Sequence, residues 1–271
     1  MSEPLASEPV FAETPLRRSL LIQVRVLHAL LMRELITRFG RKNLGVLWLI
    51  GEPMIFTLGV ATLWTVYGMH HTSAIPVVAF AVTGYSSVLM WRNSATRCGA
   101  AVEQNKSLLF HRNVRVLDVI VMRNVLESGG ATCSFIVLGT FFVFIGAMAA
   151  PLDPLQVVFG WLMLAWFGAG LSLCIGGASA LSDIVERLWH PTAYLLFPLS
   201  GAGFMVDWLP KNLQPYVLLL PMVHGVEMLR AGWFGNVVKT HYDVGYMASA
   251  CMILTLAGLV LTREAGRRVE V

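Results

Sequence analysis

Residues 155–182 read LQVVFGWLMLAWFGAGLSLCIGGASALS, a run without a single Asp, Glu, Lys, Arg or His. A bilayer core about 30 Å thick is crossed by roughly 20 helical residues, so this stretch can span a membrane as one helix. Working outward, further apolar runs lie near 44–67, 74–91, 129–148, 188–207 and 243–262. The fold they predict is an all-α integral membrane protein with six transmembrane helices. Composition points the same way: 56% of residues are hydrophobic and 13% charged, more apolar surface than a soluble core of this length can hide.

The net charge of +4 is not gathered into a nucleic-acid patch. Arg17, Arg18, Arg25, Arg33, Arg38, Arg41 and Lys42 precede the first run, and Arg92, Arg97, Lys106, Arg112, Arg115 and Arg123 are expected in the loop after the second. Arg187 follows the fourth run and Arg263, Arg267 and Arg268 follow the sixth, leaving Lys211, Arg230 and Lys239 for the opposite face. Basic residues accumulate on the cytoplasmic side, so both termini are expected there. The first apolar run begins only near residue 44, and that span is expected to direct insertion without a cleavable leader.

The expected organisation is a tail with an interfacial helix over 1–43, a six-span domain over 44–262 and a cytoplasmic tail over 263–271. Between Leu20 and Phe39, the residues Leu20, Val24, Leu27, Leu31 and Leu35 recur at helical spacing with arginines interleaved, which predicts an amphipathic helix on the membrane surface. The fifth run holds Pro191, Pro198, Gly201 and Gly203 before DWLP at 207–210 and is expected to be broken or re-entrant on the outer side. Residues 211–236 are too polar and proline-broken to span, and YVLLL at 216–220 is expected to touch the outer interface.

No phosphate-binding loop, dinucleotide fingerprint, nucleophile elbow or zinc-protease motif occurs, so the chain is expected to be neither an enzyme nor able to hydrolyse ATP unaided. Cys98, Cys133, Cys174 and Cys251 form no CxxC pair, which argues against a disulfide framework or a metal site. His224, Glu227 and Arg230 stand at helical spacing and read as a hydrogen-bonded cap, or more simply as a Glu227–Arg230 ion pair. Glu52, inside the first run and next to Pro53, needs a polar partner or a wet cavity. Gly168, Ser172, Gly176 and Ala180 make a small-residue stripe on which another helix of this or a second protomer can pack closely.

Among the aromatic residues, Trp64, Tyr85, Trp161 and Tyr194 are candidates, with Glu52, for a path along which sugar rings slide; interfacial belts account equally for such residues. The segment Glu103 to Arg112 sets Leu108, Leu109 and Phe110 among charges, so that these three either lie against the lipid headgroups or insert, as a short helix, into a groove of a soluble partner. An integral membrane transferase would gather acids or nucleophiles at one face, whereas here Glu52 stands among scattered histidines.

Residues 33–48, RELITRFGRKNLGVLW, followed by Glu52-Pro53, resemble the approach to the first span in ABC transporter type 2 permeases. NKSLLF at 105–110 resembles that family's coupling helix, and Trp208-Leu209-Pro210 the turn closing its broken fifth segment. PMVHGVEMLR at 221–230 is similar to the stretch before the last span in capsule polysaccharide export permeases of the KpsM type. The resemblance implies a homodimer in a bacterial inner membrane, bound to two copies of a cytoplasmic ABC ATPase that carry ATP and Mg, with no cofactor on this chain. It implies export of a lipid-linked capsular polysaccharide towards periplasmic and outer-membrane export proteins; O-antigen or teichoic-acid exporters share the pattern. On matching positions it implies that Glu103, Asn105, Lys106, Leu108, Leu109, Phe110 and Arg112 contact the ATPase, and that Arg33, Glu34, Arg38 and Arg41 belong to a gate or interface helix.

Overall fold

The computed structural model describes residues 16–39, 44–67, 75–109 and 114–269, side chains at 16–18, 37–39, 44–46, 49 and 269 excepted. Arg41, residues 68–73 between the first two expected runs, Phe110 and Arg112 lie outside the described residues, as does the side chain of Arg38. Among the described residues every regular element is helical. In chain order they are α1 (Leu16–Phe39), α2 (Leu44–Val66), α3 (Val77–Gly99), α4 (Ala101–Gln104), α5 (Lys106–Leu109), α6 (Val116–Phe144), α7 (Pro154–Leu181), α8 (Asp183–Leu199), α9 (Gln214–Val217), α10 (Pro221–Phe234) and α11 (Val244–Val269).

Among the described residues three helices are long and apolar enough to cross a membrane: α6, α7 and residues Val244–Arg268 of α11. Their outward faces carry large apolar residues such as Phe144, Leu155, Leu162, Ile253 and Val260, the surface expected of helices bathed in hydrocarbon. α3 is more polar because most of it is buried by protein. Its hydroxyls turn back onto their own helix: Thr83 donates to the Ala79 carbonyl at 2.9 Å, Ser87 to Thr83 at 2.5 Å and Ser94 to Met90 at 2.7 Å. Helix α3 also extends beyond the expected run, so Arg92 and Arg97 sit on it rather than in a loop, and Arg123 likewise lies within α6.

α7 occupies the centre. Asp153 caps it by accepting from the Gln156 amide at 3.0 Å, and Pro154 supplies a preset first residue. The Gly168–Ala180 stripe faces neighbours in this same chain: a Cβ on Gly168 would lie 3.1 Å from the Trp91 Cα of α3, and one on Gly176 2.9 Å from Ile120 of α6. Ser172 on that stripe hydrogen-bonds Asn124 of α6 at 3.2 Å. A second small face, Gly170 and Gly177, lies against Leu254, Thr255 and Thr262 of α11. Such backbone approach is how helices gain packing contacts where lipid offers no hydrophobic drive.

The chain breaks after α8. Gly201 adopts φ +82, a conformation that favours glycine, and an irregular stretch runs to the 3₁₀ turn Val206–Trp208. Carbonyls freed by this break are buried and need donors. Arg230 of α10 supplies them: it is fully buried and donates to Gly201 O at 2.7 Å, Ala202 O at 2.7 Å and Phe204 O at 2.8 Å. Its guanidinium also lies 3.7 Å from the centroid of Phe80, which stacks on Trp208.

Glu227 accepts the amides of Val206 at 3.1 Å and His241 at 2.9 Å. In place of the expected Glu227–Arg230 ion pair, each side chain is directed to backbone groups of the break and its surroundings, Glu227 to amides and Arg230 to carbonyls. His224 accepts the Asp243 amide at 2.9 Å on Nδ1, which leaves Nε2–H to donate to Leu218 O at 2.8 Å. With those polar groups satisfied, α10 is buried against α7.

Gly84 is confined between the Ala202 carbonyl and the Arg230 guanidinium, whereas Gly203 has open space around it. Gly84→Ala is expected to destabilise the protein by about 1–3 kcal/mol through overpacking, read as a lowered melting temperature in detergent, while Gly203→Ala leaves it near the parent value.

Candidate functional site

Between α3 and α6 the backbone turns sharply at Asn105, which separates the short helices α4 and α5. The elbow presents Glu103, Lys106 and Ser107 outward, with Leu108 and Leu109 half-buried. Glu103 and Lys106 pair at 3.5 Å in solvent, a contact worth little in energy. Asn105, in contrast, is buried: its Nδ2 donates to Glu34 Oε1 at 2.7 Å and to Ala101 O at 3.0 Å, and its Oδ1 accepts from Arg33 Nη1 at 2.9 Å.

Glu34 in turn takes an ion pair from Arg123 of α6, and Arg123 also donates to the Gln104 side-chain carbonyl. Nearer the start of α1, Gln23 donates to Asp118 of α6 at 2.6 Å. One connected polar network thus joins α1, the elbow and α6. Arg123 and Gln104 were not singled out in the sequence; the only available signal was an arginine two turns inside an apolar helix start, which topology already explained.

α1 therefore docks with a partly polar face inward, Glu34 and Leu30 buried and Arg33 beside them. Of the expected apolar stripe, Leu20 and Val24 are exposed and Leu27, Leu31 and Leu35 are half-buried. Leu21, Ile22 and Ile36 are exposed as well, so apolar surface extends beyond the stripe.

The network borders a cavity of about 550 Å³ lined by residues that include Arg33, Glu34, Arg97, Gln104, Asn105, Arg123 and His190. Thr96, Arg97 and His190 also line a neighbouring space of about 260 Å³ with Glu52, Phe56, Arg92 and Tyr194. Glu186 and His190 connect the first cavity to one of about 540 Å³ at Glu103, Lys106 and Arg187. Sharing these residues, the three cavities form a row of polar spaces, the polar groove, between the elbow and Glu52 along α3 and α8.

Glu52 has both things a carboxylate in an apolar helix needs, an arginine and a cavity: Arg97 Nη2 lies 2.6 Å from its Oε1. Tyr194 shares that space, with Arg92 over its ring at 5.5 Å. Tyr85 is nearby in the same layer, edge-on to Phe197, which Arg92 also approaches. Trp64 lies elsewhere, packed beside Phe80, and Trp161 is buried in the core, stacked on Phe135 at 4.3 Å and donating to Thr132 at 3.0 Å. Among the described residues no group of three or more His, Cys, Asp or Glu is placed to hold a metal ion.

Removing one member of a buried ion pair strands the other. Arg123→Met is expected to cost about 3–5 kcal/mol, visible as a large drop in thermal stability in detergent, and Glu34→Leu combined with Arg123→Met to recover much of it.

Comparison with known proteins fits this architecture. A sequence model of the ABC-2 type transporter family matches residues 25–234. The capsule polysaccharide export inner-membrane protein CtrC of Neisseria meningitidis serogroup A is 43% identical over 95% of this chain and 97% of its own. BexB of Haemophilus influenzae, of the same description, is 40% identical over 95% of this chain and 97% of its own. The polysialic acid transport protein KpsM of Escherichia coli is 27% identical over 89% of this chain and 94% of its own. The elbow, the central apolar helices and the sequence match along most of the chain together establish that this protein belongs to the ABC-2 type transporter family.

Proposed function

We propose that this chain is the permease subunit of an ATP-driven exporter that moves lipid-linked capsular polysaccharide across a bacterial inner membrane. The observation that carries the mechanism is the connection of the α4–α5 elbow to α1 and α6 through Asn105, Glu34 and Arg123. A cytoplasmic ABC ATPase subunit holds ATP and Mg and pushes on Glu103, Lys106, Leu108, Leu109 and the following Phe110 and Arg112. Because Asn105 is bonded to Glu34, and Gln104 to Arg123, the push moves α1, with its Arg33, Glu34 and Arg38, and α6 as a unit, Arg41 following in sequence as part of the same gate segment. Both border the polar groove, so its width follows the ATPase cycle.

In this reading the chain works as a homodimer with two ATPase copies and binds no cofactor itself. Six crossings are made by α2, α3, α6, α7, the broken α8 segment and α11, and both termini are cytoplasmic. The groove from Arg97 and Glu52 to Tyr194 carries the glycan, with Tyr85 beside it, while Trp161, buried in the core, and Trp64, packed beside Phe80, are left off the path; periplasmic and outer-membrane export proteins receive the glycan. The capsular cargo is supported by the relatives CtrC and BexB, both capsule polysaccharide export inner-membrane proteins.

Two measurements test the proposal. Deleting the gene is expected to leave lipid-linked capsular polymer inside the cell while O-antigen still reaches the surface; retention of a different polymer would refute the cargo. Leu109→Asp, which puts a charge on the half-buried elbow, is expected to abolish co-purification of the ATPase without loss of membrane insertion; an intact complex would overturn the coupling role.

A further inference from the structure

A cavity of about 460 Å³ lies beside the elbow, between the start of α6 and the last turns of α11. Arg115, Arg263 and Arg267 line it together with Leu117, Leu259 and Leu109. Among the described residues no carboxylate lines it. Of the neighbouring acids, Asp118 is engaged elsewhere, accepting the Arg115 amide at 3.0 Å and the Gln23 side chain at 2.6 Å. Glu264 makes only long contacts, at 3.6 Å to Arg267 and 3.7 Å to Arg268, across exposed side chains. Among the described residues neither Arg115 nor Arg263 has an ion-pair partner.

The cavity opens where α11 shows its apolar outer face, with Leu256, Leu259 and Val260 all exposed. Three guanidiniums therefore stand at the end of a helix apolar enough to cross a membrane, directly beside a hydrocarbon-facing surface. A free anion would satisfy the charges but leave that surface uncovered, whereas a zwitterionic headgroup brings a cation among three others. We infer that this cavity binds an anionic glycerophospholipid, its phosphate held by Arg115, Arg263 and Arg267 and an acyl chain laid along Leu259 and Leu117. Basic pockets between helices at the membrane interface hold acidic lipid headgroups on this principle.

Leu109 ends α5 and lines the same cavity, so a bound lipid braces the elbow. That consequence rests on the coupling role proposed above. The lipid site itself requires only that this end of α11 meets the membrane interface.

The test is lipid retention and melting of the full chain in nanodiscs of phosphatidylcholine alone or with phosphatidylglycerol, followed by native mass spectrometry. Phosphatidylglycerol is expected to be retained in preference and to raise the melting temperature, and each Arg→Gln change at 115, 263 or 267 to lower retention by about fivefold. Arg263→Lys should keep most of it. Melting of the variants in pure phosphatidylcholine checks that they fold, and Leu259→Trp, which fills the acyl position without altering charge, should also reduce retention. Equal retention of both lipids, or unchanged retention in the triple Gln variant, would overturn the site. Stabilisation by inorganic phosphate alone to the same extent would overturn the assignment to a lipid. None of these readouts involves transport or the ATPase, so they stand apart from any failure of the exporter reading.

Discussion

Close backbone approach to α7 is the constraint on which the other helices depend. In a bilayer, apolar side chains gain nothing by leaving lipid for protein, so stability comes from contact density and from polar groups that find each other. Gly160 and Gly168 let α10 and α3 against one part of the helix, while Gly170 and Gly177 admit α11 on another. Gly258 of α11 returns the favour, its missing Cβ making room for Leu173 and Cys174. With α7 fixed on several sides, α3 and α10 are held close enough for Arg230 to reach Phe80 and the broken segment together.

The break after α8 follows from that arrangement. Interrupting a helix where water is scarce exposes carbonyls that must be met by donors from elsewhere in the chain. Arg230 meets several with one side chain, and Glu227 and His224 fix the amides and carbonyls on either side. Proline and glycine spacing made the break legible in advance. The reason it can be tolerated was not legible, since Arg230 read as a partner of Glu227, its nearest charge on the helix, and not as the donor to a segment some thirty residues earlier.

The elbow shows the same division. Leu108 and Leu109 among charges marked a short docking helix, and that segment is a short helix flanked by exposed Glu103 and Lys106. Asn105 seemed of one kind with its neighbours, yet it is turned inward to Glu34 and Arg33. Glu34 itself belonged to a helix whose apolar stripe was expected to define its docking side. Instead part of its inward face is polar, because in lipid an apolar face has a solvent already and the buried contact is made by groups that do not.

The sequence by itself determined that this chain is helical and membrane-embedded, that its fifth run is broken, and which short segment projects between α3 and α6. These are properties of local length, hydropathy and proline or glycine placement, which act over one or two turns of chain. Only the tertiary structure decided that Glu34 meets Arg123, that Glu52 meets Arg97, that the small-residue stripe of α7 faces its own chain, and that three arginines from α6 and α11 share one cavity. Those pairings join residues up to about a hundred and fifty positions apart. The rotation of each helix about its axis sets them, and uniformly apolar helices leave that rotation to packing.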